Sequence, residues 1–299
     1  MRVIQFEPVS EDNMHVFVRM TRETLWQPVY PGDDAVVREW ARWPLPIRKD
    51  TLLIRADGEP VGRVVAPQFD DYHVIRDLGL RADHDVAMLT ARALLERAAR
   101  QRARVVRAIL HEPFWRAFRA IGLEEQKQRV SMQYDLNLSV PAPAAESPAR
   151  TLERPDVAQV GVLMHSAYAG SVDDEGESVE QWIDHVRDVM GGQYGTFLDC
   201  CSFVTPTAAP FASGVLAIEN ARQSALIAQV VTRREQANRG LARRLLGYSL
   251  AALAAHGYRR CFLEVTLTNL NAMHLYHSLG FVSVGPRIVY AVRLLAPEP

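Results

Sequence analysis

Cysteine, long apolar runs and an excess of either charge are what this chain has least of, and each shortage excludes something. Only three cysteines occur in 299 residues: the adjacent Cys200 and Cys201, and Cys261. An odd and badly spaced set builds neither a disulfide framework nor a zinc site, so no metal is expected and a reduced cytoplasm is the expected setting. No stretch approaches the ~18–20 continuous apolar residues of a membrane span. Met1 to Glu7 reads as a strand and lacks the apolar centre of a signal peptide, so no membrane is expected. Lys+Arg 34 against Asp+Glu 35 leaves a net charge of -1, with arginine heavily outnumbering lysine. A nucleic-acid partner would call for a net basic face, and none is expected.

What remains is an ordinary globular composition, 48% hydrophobic and 23% charged, long enough for about two domains, each with its own core. In chain order, Met1 to Phe6 reads as an edge strand, and Ser10 as the cap of a helix through Met20. A loop from Trp26 to Gly32 and a second helix, Asp33 to Trp43, follow. Trp40 and Trp43, three apart, share a face and are assigned to the core rather than to ligand stacking. Leu52 to Val65 is a hairpin turning at Asp57-Gly58. Then come strand Tyr72–Leu80, helix Val86–Gln101, strand Val105–Leu110, short helix Phe114–Ala120 and strand Arg129–Leu138. Residues 141–150, rich in proline and alanine, make a semi-rigid linker between domains 1–140 and 151–299.

After the linker the same order returns: helices Asp156–Tyr168 and Val179–Met190, strands Cys201–Thr205 and Ser213–Asn220, then Ala225 onward. The chain reads as two copies of one fold, repeating after roughly 156 residues. Ala225 to Val231 is a strand buried on both faces, interrupted by Gln229. A basic and polar loop, Thr232 to Arg239, leads to Gly240, which launches a helix with Leu241, Leu245, Leu246, Leu250 and Leu253 at helical spacing and a stop at Gly257. Such a helix start captures anions through unpaired N–H groups and the positive end of its dipole. Gly240 and Ala242 leave the backbone accessible, and Arg239, Arg243 and Arg244 add charge. A solvated helix start fits the same residues.

Beyond it, Arg260 to Thr266 is a buried strand, and Asn269 to Phe281 a short helix with a glycine turn. Here the sequence resembles the GCN5-related N-acetyltransferase (GNAT) superfamily. Ala237-Asn-Arg-Gly-Leu-Ala242 matches the family's Arg/Gln-x-x-Gly-x-Gly/Ala loop except at Ala237, a gap flanked by Gln236 and Arg239. Asn269, Asn271, Ala272, Leu275, Tyr276, Leu279, Gly280 and Phe281 match its second motif. The resemblance implies an α/β fold, α+β in layout: two tandem acyl-CoA N-acyltransferase domains, each a mostly antiparallel twisted sheet flanked by helices. It implies acetyl-CoA as co-substrate and an N-acetyltransferase activity. Backbone near Val230 and Val231 would hold the thioester and pantetheine. Gln236 and Asn238 to Arg243, through Arg239, Gly240, Leu241 and Ala242, would hold the pyrophosphate. Asn269 or Asn271 would bind the pantetheine arm or a water, and Tyr276 would protonate the leaving sulfur. A packed aromatic at Tyr276 and a helix cap at Asn271 are the alternatives.

In the first copy, Asp83, His84 and Val86 stand opposite Arg239, Gly240 and Ala242. Carboxylates Asp83 and Asp85 would repel a diphosphate, and Phe118, opposite Tyr276, has no proton to give. The first copy is therefore read as degenerate. Deprotonation of the acceptor amine falls to Glu219 or Glu264, unless both simply face solvent. Asp173, Asp174, Glu175 and Glu177, with Tyr168 on the preceding helix, would attract a cationic acceptor; a solvated loop is the plain alternative. His165 is read as a packed helix residue. The expected partner is a small amine or a protein amino group, and a homodimer is left open. A non-catalytic acyl-CoA-binding module, suggested by Ala237, is the competing function.

Overall fold

The computed structural model describes residues 2–24, 32–81, 83–138, 149–205, 210–221 and 224–295. The Trp26–Pro31 part of the expected loop and residues 141–148 of the expected linker lie outside them. In the first half the elements are β1 (Ile4–Pro8), α1 (Met14–Thr24), α2 (Asp33–Arg42), α3 (Leu45–Lys49), β2 (Thr51–Ala56), β3 (Glu59–Val65), β4 (Gln68–Phe69), β5 (Tyr72–Leu80), α4 (His84–Arg100), β6 (Val105–His111), α5 (Glu112–Ala120) and β7 (Glu124–Asp135). In the second they are β8 (Arg150–Thr151), α6 (Val157–Tyr168), α7 (Val179–Met190), β9 (Thr196–Phe197), β10 (Phe203–Val204), β11 (Ser213–Ala221), β12 (Ser224–Thr232), α8 (Leu241–Ala255), β13 (Arg260–Thr266), α9 (Leu270–Leu279) and β14 (Val282–Leu294).

Two compact units result, Met1–Val130 with Gly285–Pro299, and Ser131–Val284. In the first, Asp57 and Gly58 both adopt positive φ, 51° and 86°, the twist that a two-residue hairpin turn requires. They join β2 to β3, and β1 and β5 extend this antiparallel set. β5 then pairs with β6 in parallel, and residues 288–294 of β14 run antiparallel to β6. Val289 and Ala291 thereby join the core under α4 and α5, with Leu94, Leu110 and Phe118. The Ser10 cap does not form. α1 starts at Met14, and the buried Asn13 side chain accepts the Ser10 N–H (2.8 Å) and donates to Glu7 and the Pro8 carbonyl. Asparagine bonds nearby backbone readily, and here it organises the turn before the helix.

The second unit pairs β8, β10, β11 and β12 antiparallel, and β12 with β13 in parallel. The expected strand from Cys201 shrinks to β10. Ser202, fully buried, donates to the Leu198 carbonyl (2.8 Å) and accepts the Ala217 N–H (2.9 Å), holding Asp199–Cys201 in a tight turn. α7 starts on a reciprocal cap: the Ser178 hydroxyl accepts the Gln181 N–H, and the Gln181 side chain accepts the Ser178 N–H. Arg150 grips the buried Asp156 carboxylate with both terminal nitrogens (2.7 and 2.6 Å), fixing the chain where this unit's helices begin. Among the described residues, no helix is long and apolar enough to cross a membrane, and no group of three or more His, Cys, Asp or Glu side chains could hold a metal ion.

α6 and α7 touch at Gly161. A Cβ there would lie 2.5 Å from Ile183 Cγ1 and 2.8 Å from the Ile183 backbone. Backbone cannot yield as a side chain can, so Gly161→Ala should cost roughly 1–3 kcal/mol through forced helix separation. Denaturant unfolding of the full chain measures it; an unchanged midpoint would refute the close approach.

Candidate active site

The site begins where β12 gives way to α8. After Thr232 the chain makes a short turn, Arg234–Gln236, and then visits the left-handed region at Asn238 (φ 59°) and Gly240 (φ 73°). α8 starts at Leu241 with no side-chain cap and no acid in its first turn. Among the described residues, the backbone N–H groups of Asn238, Arg239, Gly240, Leu241, Ala242 and Arg243 have no acceptor. Six donors in succession, at the positive end of a helix dipole, form a concave anion receptor. A Cβ on Gly240 would meet nothing within 4 Å. The glycine therefore serves the left-handed turn and leaves the space above it open. Arg239 and Arg243 are exposed beside it. Arg243 also donates to the Ser278 hydroxyl, linking the start of α8 to α9. Gln236 is half-buried in the turn.

Next to this receptor the sheet opens. The parallel ladder of β12 with β13 covers only Ser224–Leu226 against Arg260–Phe262. From Ile227 to Thr232, β12 keeps its antiparallel partner β11, with an irregularity where Leu216 faces Gln229 and Ala217 faces Ile227. Toward β13 the ladder has stopped. Backbone groups around the half-buried Val230 and the buried Val231 thus flank a gap between diverging strands. The sequence expectation placed a thioester there; the structure supplies the gap.

Tyr276, on α9, is 7% exposed. Burial first, then the nearby Tyr168 and Asp173, push its phenol well above the usual tyrosine range. The group stays protonated at neutral pH and so has a proton to give. Tyr168 stacks on Trp182 (4.9 Å between centroids), and its hydroxyl donates to Gln229 Oε1 at 2.7 Å. The Gln229 amide nitrogen meets His185 Nε2 at 3.2 Å. Burial holds the His185 imidazole below its usual range, against the pull of Asp188 and Glu177. Gln229 and His185 were missed at the sequence level, where Gln229 only broke an apolar run. A polar residue inside a doubly buried strand was the available signal, since burial requires it to have partners. Tyr134, whose ring lies 5.3 Å from that of Phe281, gave no signal at all.

The other expected residues distribute unevenly. Asn269, rather than Asn271, caps α9: its side chain accepts the Ala272 N–H at 3.2 Å. Asn271 is exposed one position into the helix. Glu264 is exposed on β13, alongside the opened part of the sheet. Glu219 pairs with Ala225, at the end where β12 and β13 remain joined. Its charge, added to burial, helps push the Tyr258 phenol to about 12. In the acidic loop, Asp173 accepts from Thr266 Oγ1 at 2.5 Å. Asp174 accepts from the N–H groups of Gly170 and Gly176, and Glu177 accepts the Glu175 N–H. Glu175 itself is exposed. In the first unit the matching helix start is closed: Asp83 caps α4 by accepting the Val86 N–H at 3.0 Å, His84 and Asp85 are exposed beside it, and Phe118 is fully buried.

The Gly170 and Gly176 N–H bonds hold the exposed Asp174 carboxyl below the usual range, helped by His165 and Arg234. A depressed folded pKa means loop order present above the ordinary carboxylate range and lost as pH falls through the lower folded value. Asp174→Ala should therefore lower the protection of the Gly170 and Gly176 amides against hydrogen exchange at neutral pH and remove the loss of protection on acidification; equal protection in both proteins would refute the assignment.

Comparison with known proteins completes the picture. No curated protein matches the sequence. Residues 180–281 match the model of the acetyltransferase (GNAT) family. Among solved structures, a GCN5-related N-acetyltransferase from Sphaerobacter thermophilus superposes with a TM-score of 0.73 at 16% identity, covering 97% of this chain and 95% of that one. A tandem GNAT protein from the clavulanic acid biosynthesis pathway gives 0.68 at 17% identity, covering 99% of this chain and 100% of that one. An acetyltransferase of the GNAT family from Colwellia psychrerythraea gives 0.60 at 10%, covering 98% and 100%. At these identities the likeness is one of fold, and it runs over both copies. Residues 180–281 are thus similar to the acetyltransferase (GNAT) family, and the chain as a whole shares the fold of these solved structures.

Proposed function

We propose that the second domain is an acetyl-CoA-dependent N-acetyltransferase and that the first copy is structural or shapes the acceptor site. The acceptor is a primary amine of a small molecule or a protein. One observation carries the reading: six consecutive unsatisfied N–H groups, Asn238 to Arg243, stand beside a parallel ladder that stops at Leu226 and Phe262. These features fit acetyl-CoA. The N–H groups suit its diphosphate, and the edge of β12 near Val230 and Val231 suits its pantetheine arm, with Asn271 at the side. Bound there, the co-substrate supplies a thioester carbonyl carbon as electrophile.

The acceptor nitrogen must first shed its ammonium proton. Glu264, directly or through water, is the carboxylate in the opened part of the sheet; Glu219 is the more distant candidate. Asp173, Asp174, Glu175 and Glu177 raise the local concentration of a cationic acceptor, and Tyr168, fixed by Gln229, lines its approach. As the C–N bond forms and the C–S bond breaks, the nitrogen passes its second proton to water, while Tyr276 gives its phenolic proton to the departing sulfur and regains one from solvent.

Ala237, at the first position of the loop, favours a second reading, a module that binds acyl-CoA without turnover. CoA release measured over a broad amine panel separates the two. Tyr276→Phe should lower kcat by roughly 10²–10⁴-fold while leaving acetyl-CoA affinity unaltered. Gly240→Val, with a β-branched residue at positive φ, should weaken acetyl-CoA binding by roughly tenfold or more. Thermal stabilisation by acetyl-CoA with no turnover on any amine would overturn catalysis and leave the binding module.

A further inference from the structure

Tyr168 is more than a single ring beside Tyr276. After burial, it is the first neighbour that helps raise the Tyr276 phenol, and it begins a row of rings. Trp182, on the first turn of α7, lies nearly parallel to it, with an interplanar angle of 18°. His185, three residues on, meets Trp182 at 5.6 Å and 90°. Tyr194, beyond the end of the helix, lies 5.6 Å from His185 at 46°. Stacked, edge-on and tilted pairs at such separations are the favoured aromatic contacts. The row therefore holds its own geometry before any ligand arrives. It runs from the proton donor to the surface: Tyr168, Trp182 and His185 are half-buried, and Tyr194 is 54% exposed.

The polar atoms of the row are turned on one another. The Tyr168 hydroxyl donates to Gln229 Oε1, and the Gln229 amide nitrogen meets His185 Nε2 at 3.2 Å. An amide nitrogen can only donate, so His185 accepts at Nε2 and carries its proton on Nδ1. Burial, which holds this imidazole below its usual range, suits the neutral form. Gln229 belongs to the stretch of β12 beyond the β13 ladder, so the row starts at the same opening in the sheet. What the row offers an incoming molecule is ring faces and edges. A site for a sugar or a polyamine would instead space hydrogen-bonding groups along the ligand.

We propose that this row selects the acceptor, an arylalkylamine whose nitrogen reaches Tyr276 and whose ring lies against Trp182 and Tyr194. Trp182 is the specificity-determining residue. The inference rests on the acetyltransferase reading of this domain and names its acceptor class. A short chain between nitrogen and ring is enough, because Tyr168 already spans the step from Tyr276 to Trp182. The ring gains stacking with the row, and the amine, while still an ammonium, gains from the ring faces beside it. It sheds that ammonium proton before attack and a second proton to water after it. The C–S electron pair leaves with the sulfur, which takes the Tyr276 proton, so the products are the N-acetylated arylalkylamine and CoA.

2-Phenylethylamine, n-butylamine and glucosamine, titrated calorimetrically into the full chain saturated with CoA, test the row without requiring turnover. Phenylethylamine should bind roughly tenfold more tightly than either of the others. Trp182→Ala should remove most of that preference, and Trp182→Phe should restore it. Tyr194→Ala, at an exposed position, should lower it severalfold and keeps the test decisive should Trp182→Ala fail to fold. No phenylethylamine binding up to about 10 mM, equal affinity for n-butylamine, tighter binding of glucosamine, or a preference that survives both alanine variants would each overturn the proposal. CoA release from acetyl-CoA then separates the two levels. Turnover confined to n-butylamine or glucosamine would overturn the acceptor class and leave the acetyltransferase reading in place. Selective phenylethylamine binding with turnover of none of the three amines would sink that reading and support the row as an arylalkylamine site.

Discussion

The second domain depends on a ladder that ends early. Parallel strands normally satisfy each other's backbone along their length, and a strand edge left open must find other partners. β12 keeps β11 along one side while losing β13 after three residue pairs. What holds the arrangement is packing: Leu216, Ile218 and Val231 are buried in one core with Leu163 and Val186 of the helices above them. The open edge is therefore a rigid feature, and it points along the chain to the unsatisfied donors at the start of α8. A recess beside one strand and a row of donors suited to an anion follow from one divergence of two strands.

The two copies show how little has to change for that geometry to change its chemistry. Gly240 leaves the start of α8 uncapped, whereas Asp83 closes the start of α4 with its own carboxylate. Tyr276 keeps a hydroxyl where Phe118 has a bare ring. Both copies retain a parallel ladder that stops short. In the second copy backbone and a phenol border the gap; in the first, the buried Arg63 donates to the Asp77 carbonyl just past the ladder's end. Fold-level likeness accordingly says what can be built at this place in each unit, and the local residues say what was.

Sequence reading reached the parts governed by local rules. Asp57-Gly58 announced its turn, and Gly240 the start of a helix. Each is decided within a few residues of chain. The length of the β12–β13 ladder is not, because it depends on helices packed from elsewhere. Nor are the Tyr168–Gln229–His185 contacts, which join positions up to 61 apart. The acidic loop was read by charge, and charge does not reveal that Asp174 would bond Gly170 and Gly176. Trp40 and Trp43 were assigned to the core by their spacing; their place beside the buried Arg63 needed β3, further along the chain.

One property of the units bears on how the molecule is made. Residues 288–294 of β14 run beside β6 in the earlier unit, and Ser131 to Asp135, the end of β7, belong to the later unit. A ribosome delivers the chain from the N-terminus, so the earlier body cannot close its sheet beside β6 until residues 288–294 emerge. Synthesis and sheet closure are thereby coupled: a nascent chain stalled short of residue 285 would expose β6 as an open, aggregation-prone edge.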